Sequence, residues 1–230
     1  MRTSNRRANF RWLLITLVIL QLVAPLLPNQ EPWRSGLVSA LVLLAAGAAG
    51  TSVGGPRWLR LLTYGLGAAA FSLGVLAPFL PSAPWLELVV FASYILFFGV
   101  VCVQVLLFVL RNTEIDANKL YGVCCVYLLA AFAWAFLYAA MERMVPGSFS
   151  LSEGSTSHDL VSEMVYFSVV TITTLGYGDV TPVSPIARTV SGLEALLGQG
   201  YLTVLVARLM GWSGGGTTTS ESVESQSSQG

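Results

Sequence analysis

The charged residues of this chain are clustered, and they leave long apolar stretches between them. Five charge-free runs hold 19 to 26 residues each, and a sixth contains one acidic residue, Glu194. The six runs are Trp12–Gln30, Ser35–Pro56, Leu61–Leu86, Leu88–Leu110, Leu120–Met141 and Thr189–Ala207. About 20 apolar helical residues cross the roughly 30 Å hydrocarbon core of a bilayer. Only 10% of the residues are charged, against about 25% in soluble domains. We therefore exclude a soluble enzyme and a nucleic-acid-binding protein and predict an all-α membrane protein with six transmembrane helices.

The basic residues predict how these helices are oriented, because cytoplasmic loops carry an excess of Lys and Arg. With both termini in the cytoplasm, nine basic residues lie inside and three lie outside. The inside set is Arg2, Arg6, Arg7, Arg11, Arg57, Arg60, Arg111, Lys119 and Arg208, and the outside set is Arg34, Arg143 and Arg188. We therefore predict a multi-pass protein of the cell membrane with cytoplasmic N- and C-termini.

The N-terminus has a second interpretation, since Arg6 and Arg7 before an apolar run also occur in secretory and twin-arginine signals. The run, however, is as long as a membrane span. The residues at its end, 26–30, contain no small-x-small cleavage site. A retained first helix is the favoured interpretation.

The cysteines give no sign of a metal site or a disulfide. Cys102, Cys124 and Cys125 all lie within predicted spans, and the single histidine, His158, has no metal-like spacing to them. Buried packing is the expected role of such cysteines. We expect no cofactor.

The runs and the polar segments between them divide the chain into four parts. Residues 1–110 form a four-helix transmembrane domain, and 111–119 form a cytoplasmic linker. Residues 120–212 form a second membrane domain. The tail at 213–230 consists mainly of Gly, Ser, Thr, Gln and Glu, so we expect it to be disordered.

One segment of the second domain does not fit the pattern of spans. Met164–Gly178 is apolar over only 15 residues, is flanked by Glu163 and Asp179, and ends in glycine-rich backbone. A short apolar helix followed by such backbone predicts a re-entrant loop. Non-helical backbone at membrane depth is tolerated only where protein buries it or where it lines an aqueous path.

The residues at the end of this segment, Thr174-Leu175-Gly176-Tyr177-Gly178-Asp179, resemble the selectivity filter of the tetrameric potassium channels. This resemblance implies K⁺ as the transported ion, with the backbone carbonyls of Thr174, Leu175, Gly176 and Tyr177 as its ligands. One loop per chain supplies a quarter of such a cage, so a homotetramer with fourfold symmetry follows.

The residue types suit this chemistry. Gly176 and Gly178 reach positive φ at low steric cost, which allows successive carbonyls to face one axis. We expect Tyr177 to point away from that axis and to be braced by Tyr166 and Phe167. The preceding helix, about 159–173, would direct the negative end of its dipole toward the pore. Either Asp159 or Ser157 is its N-cap.

The resemblance covers about Tyr121–Trp212, the predicted pore domain. The chain is similar to a bacterial six-transmembrane potassium channel. Leu175 stands where the family often has valine. Val170 stands where some bacterial members have a carboxylate that pairs with the aspartate after the filter. Asp179 therefore lacks that partner here and needs another, for which Tyr166 is the candidate.

Three residues of the last run have two interpretations each. Gly198 and Gly200 lie about where the family commonly has a gating hinge, but small residues also serve close helix packing in membranes. Glu194 is an ionisable residue inside a span and is a functional candidate for that reason. A hydrogen bond to a Ser or Thr behind the pore helix is the structural alternative, which we favour.

The sequence also predicts which gating mechanisms are absent. A voltage sensor needs a row of arginines in its fourth helix, and Leu88–Leu110 contains none. We therefore expect no arginine-based voltage sensing. Nothing after Arg208 is long enough for a ligand-binding regulatory domain.

The favoured function is passive, potassium-selective conduction by a homotetramer, with no enzymatic activity and no nucleic-acid partner. A weakly selective cation channel is the nearest alternative. A secondary transporter with a re-entrant loop is less favoured, because such transporters show two related halves and this sequence shows no repeat. A non-conducting subunit would leave the complete filter motif unexplained.

Overall fold

The computed structural model describes residues 9–26, 33–52, 57–79, 84–111, 117–151 and 160–213. Almost all of these residues are helical. The helices are α1 (Phe10–Leu26), α2 (Trp33–Ser52), α3 (Arg57–Leu76), α4 (Pro84–Arg111), α5 (Ala117–Met144), α6 (Leu160–Ile172) and α7 (Pro185–Ser213). A 3₁₀ turn covers Ala77–Phe79, and two short strands, β1 (Phe149–Ser150) and β2 (Thr181–Pro182), lie on either side of α6.

Four helices in the described part of the chain are long and apolar enough to cross a membrane, namely α3, α4, α5 and α7. The apolar part of α1 and the Gly36–Ser52 part of α2 are shorter. At about 1.5 Å per residue, the 17-residue α1 measures about 25 Å, which falls below the roughly 30 Å of a hydrocarbon core. An all-helical membrane protein is therefore supported, and a total of six spans stays a prediction.

The helices of the first domain pack against α5 of the same chain, with α1 and α4 both in contact with it. The α4–α5 interface is a stack of aromatic rings, in which Phe98 stacks on Phe132 and Phe136, and Tyr94 stacks on Phe136. Glu87 at the start of α4 forms a salt bridge with Arg143 at the end of α5, so the two helices run antiparallel.

Two pairs of buried polar side chains inside the first domain are hydrogen-bonded to each other. Ser39 on α2 pairs with Tyr94 on α4, and Thr63 on α3 pairs with Gln104 on α4. Buried polar side chains in lipid need such partners. These contacts fix the packing of α2 and α3 on α4.

The described residues after α5, 145–151, are held by a strand pairing and by a carboxylate. The strands β1 and β2 pair antiparallel, with Phe149 opposite Pro182 and Ser150 opposite Thr181. The Glu142 carboxylate accepts hydrogen bonds from the backbone N–H groups of Gly147 and Phe149. The loop after α5 is thereby tied to the loop that follows the glycine-rich motif.

Several predicted boundaries differ from those of the structure. The predicted linker at 111–119 is shorter at both ends, because α4 includes Arg111 and α5 begins at Ala117. The predicted helix at 159–173 is observed as Leu160–Ile172. The N-cap candidates Ser157 and Asp159 and the tail at 214–230 lie outside the described residues.

Candidate functional site

The site begins with α6, a 13-residue helix that is too short to cross a bilayer. Its side chains Met164 and Ser168 are fully buried, and it packs between α5 and α7. The chain folds back at its end, where the N–H groups of Leu175 and Gly176 both donate to the carbonyl of Val170, at 2.9 and 3.3 Å. The short helix and the non-helical backbone after it are arranged as in a re-entrant loop.

The backbone after α6 alternates in conformation. Thr174, Gly176 and Gly178 have φ values of 58°, 58° and 81°, whereas Leu175 and Tyr177 between them do not have positive φ. When the backbone conformation alternates between left-handed and right-handed, successive carbonyls turn toward the same side. In an extended strand, successive carbonyls point to opposite sides. The positive φ predicted at the two glycines is present. The positive φ of Thr174 was missed, because few non-glycine residues adopt it.

The aromatic residues near this segment are arranged differently from the expectation. Phe167 packs edge-on against Tyr138 of α5 and Phe149 of β1, with ring centroids 5.2 and 5.4 Å away. Tyr177 is 67% exposed, and among the described residues its ring has no aromatic contact. Within one chain the described rings of Tyr166 and Phe167 do not stack on Tyr177, so support of Tyr177 by these two residues stays a prediction.

Asp179 has the partner that the sequence suggested. The Tyr166 hydroxyl donates to its carboxylate at 2.6 Å, and the backbone N–H of Val180 donates at 3.0 Å. The hydrogen bond from Tyr166 is the main cause that lowers the pKa of Asp179. The carboxylate therefore stays charged at the edge of the glycine-rich segment.

Two residues that the sequence did not single out contact the other end of this segment. Gln199 of α7 donates to the Thr174 hydroxyl at 3.2 Å, and Tyr127 of α5 donates to the Ile172 carbonyl at 2.5 Å. Neither belongs to the motif, and each is at least 25 residues from its partner. No sequence pattern identifies such contacts.

The two glycines of α7 differ in their surroundings. A Cβ atom added to Gly198 would lie 2.5 Å from the Ile172 carbonyl oxygen, whereas one added to Gly200 would meet nothing within 4 Å. Gly198 thus allows α7 to touch the end of α6, which supports the packing interpretation at this position. The structure gives Gly200 no packing role among the described residues.

Glu194 is fully buried between three helices. The Ser168 hydroxyl of α6 lies 2.5 Å from one carboxyl oxygen, and the Tyr138 hydroxyl of α5 lies 2.6 Å from the other. The structural alternative for Glu194, a hydrogen bond to a Ser or Thr behind this helix, is therefore confirmed. The contact with Tyr138 was not expected.

Comparison with known proteins identifies the same region. A family model described as "Ion channel" matches residues 122–213. Two pore potassium channel c of Oryza sativa subsp. japonica is 35% identical over 89 residues, which cover 37% of this chain and 19% of that protein. Protein LctB of Bacillus caldotenax is 33% identical over 98 residues, which cover 41% of this chain and 72% of LctB.

The aligned segment thus spans about a fifth of the rice protein but nearly three-quarters of LctB. No solved structure matches the chain. The family match runs from α5 through α6 and the alternating backbone to the end of α7. Since these are the elements that build the site, the chain belongs to the ion-channel family.

Proposed function

We propose that this chain is a subunit of a potassium-selective channel that conducts K⁺ passively across the membrane. The observation that carries the proposal is the alternating φ of Thr174, Gly176 and Gly178 at the end of a re-entrant helix. The carbonyls of Thr174, Leu175, Gly176 and Tyr177 replace the hydration shell of the ion. The rice relative, which is named as a potassium channel, supports the choice of ion.

The electrostatics of the site suit a cation. The α6 dipole places partial negative charge at its C-terminal end, next to Thr174. At the other end of the filter, the Asp179 carboxylate adds a full negative charge. A cation is therefore favoured at both ends of the path.

Four chains form the channel, because one filter segment supplies only a quarter of a closed cage. The exposed side chains of a single subunit support this assembly. Leu196 and Leu197 on α7 are 71% and 61% exposed, and Tyr177 is 67% exposed. A cavity of about 360 Å³ behind the filter, lined by residues of α6, α7 and the filter itself, lies open in one chain. Neighbouring subunits cover these surfaces, and chemical cross-linking that stops at dimers would contradict the tetramer.

The orientation follows from the basic residues, with both termini in the cytoplasm. Asp179 then faces the outside, and Gln199 lies beneath the filter on the cytoplasmic side. The first four helices act as a packing domain on α5 and do not sense voltage.

Cation flux through purified protein in liposomes tests the function. K⁺ gradients should drive flux that Ba²⁺ blocks, and Na⁺ gradients should drive little. Equal K⁺ and Na⁺ flux would replace the proposal with a weakly selective cation channel. Absence of flux in preparations shown to be tetrameric would contradict conduction by this chain alone.

The pH dependence of K⁺ entry tests the role of Tyr166. In Tyr166→Phe, the pKa of Asp179 rises toward its ordinary value, because the main hydrogen bond that lowers it is lost. The charge of Asp179 is present above its pKa and is lost as the pH falls through it. Inhibition of K⁺ entry by external acid should therefore begin at a higher pH in this variant than in the wild type.

Tyr121→Phe serves as the control, because it removes the same hydroxyl group at a different place. Tyr121 lies near the start of α5 and is partly exposed. Its acid inhibition should match that of the wild type. The same acid inhibition in Tyr166→Phe and in the wild type would show that Asp179 does not influence K⁺ entry through this hydrogen bond.

A further inference from the structure

Glu194 lies in the first half of α7, fully buried, and none of its partners among the described residues carries a charge. The groups that face it are the Tyr138 hydroxyl from α5 and the Ser168 hydroxyl from α6. Ser191 on its own helix lies beside Tyr138, and Tyr127 of α5 is within electrostatic reach. An ionised carboxylate buried without a cationic partner is costly.

The hydrogen bonds around Glu194 require one proton more than the two hydroxyls provide. Ser168 Oγ lies 2.5 Å from Glu194 and also 2.8 Å from the carbonyl oxygen of Ala131 on α5. A serine hydroxyl has a single proton and can donate it only once. Both distances are short enough for full O–H···O bonds, so sharing that proton between two acceptors does not account for them.

A proton on the carboxyl group completes the chain of donors. Tyr138 then donates to Glu194, the carboxylic acid donates to Ser168, and Ser168 donates to the Ala131 carbonyl. Each of the three short O···O contacts then has one proton between its two oxygen atoms. No two of these oxygens face each other without a proton. We propose that Glu194 is a proton-binding site, held as a neutral carboxylic acid, that positions the pore helix between α5 and α7.

The position of this chain of hydrogen bonds links it to the filter. Ser168 lies in the middle of α6, six residues before Thr174, and both of its partners are on helices that flank α6. The Tyr138 ring packs edge-on against Phe149 and Phe167, so its hydroxyl is held in place. Glu194 is therefore a positioning residue for α6. It does not contact the filter itself.

Infrared difference spectroscopy of the reconstituted, full-length protein at neutral pH tests the protonation state. The spectrum of wild type minus Glu194→Gln should contain a carboxylic-acid C=O band. Wild type minus Glu142→Gln should lack this band, because each oxygen of the Glu142 carboxylate accepts a hydrogen bond from a backbone N–H group and needs no proton of its own. A carboxylate band from Glu194, with no acid band, would overturn the proposal whether or not the protein conducts.

Ion flux tests the positioning role, which rests on the proposed function. Glutamine has the shape of the neutral acid and can donate to Ser168 while it accepts from Tyr138. Glu194→Gln should therefore keep K⁺ flux and selectivity within about twofold of the wild type. Glu194→Leu leaves the buried Tyr138 hydroxyl without its acceptor and the Ser168 oxygen without its donor, and flux per tetramer should fall at least about tenfold.

If Glu194→Gln lost flux as fully as Glu194→Leu while both formed tetramers, the ionised form would be the working one and the proposal would be wrong. If Glu194→Leu conducted and selected like the wild type, the positioning role would be wrong even with an acid band present. Absence of flux in the wild type would contradict the channel function and leave the infrared result to decide the protonation state.

Discussion

Replacing Gly176 with alanine should abolish K⁺ flux. Gly176 has a φ of 58°, and an alanine there costs about 1–2 kcal/mol in the left-handed region. A Cβ atom at this position would meet nothing within 4 Å in one chain, so the penalty is conformational. In the proposed tetramer this penalty applies to all four subunits. The simplest relief is rotation of a peptide plane, which turns a carbonyl away from the ion.

Gly147→Ala is the matched control for this substitution. Gly147 has a φ of 84° and equally open surroundings, but it lies in the loop before β1. It should lose a similar amount of stability and keep K⁺ flux per tetramer. The two variants are compared by flux and by thermal unfolding of the reconstituted protein. If Gly176→Ala conducted with wild-type selectivity, the alternating backbone would not be the ion path.

Replacing Gly198 with alanine should separate α7 from the end of α6. The new Cβ would lie 2.5 Å from the Ile172 carbonyl oxygen and 2.7 Å from the Ile172 side chain. That carbonyl also accepts the Tyr127 hydroxyl, so it cannot rotate freely away. Overpacking of this kind costs about 1–3 kcal/mol per subunit. We expect a lower unfolding temperature of the tetramer together with reduced K⁺ selectivity.

Gly200→Ala separates packing from hinge bending. A Cβ atom there meets nothing within 4 Å, and alanine favours a helix over glycine by about 1 kcal/mol. A packing role for Gly198 alone therefore predicts a lower unfolding temperature for Gly198→Ala. It predicts an unchanged or higher unfolding temperature for Gly200→Ala. A hinge at Gly198 would instead show as altered open probability without loss of stability, and that result would contradict the packing role.

Much of the site could be predicted from short stretches of sequence. The length of the apolar segment before Thr174 predicted a short helix, which the structure has at Leu160–Ile172. The two glycines predicted positive φ, because that conformation costs glycine little. The positive φ at Thr174 could not be predicted, since a β-branched residue there is uncommon and the hydrogen bonds around Val170 impose it.

The support around the filter was predicted less well. Phe167 was expected to brace Tyr177, and the ring contacts that the structure shows for it are instead with Tyr138 of α5 and Phe149 of β1. Gln199 and Tyr127 were not singled out at all. Their partners lie 25 and 45 residues away along the chain, so only the packing of α5 and α7 on α6 brings them together.

The sequence alone determined the membrane class, the helical architecture and the position of the glycine-rich motif. Each of these depends on local properties: the length of a charge-free run, the lack of backbone partners in lipid, and the freedom of glycine. Only the tertiary structure decided the roles of Glu194 and Gly198. Their partners, Tyr138, Ser168 and Ile172, come from other helices, and contacts between helices are set by how their surfaces fit together.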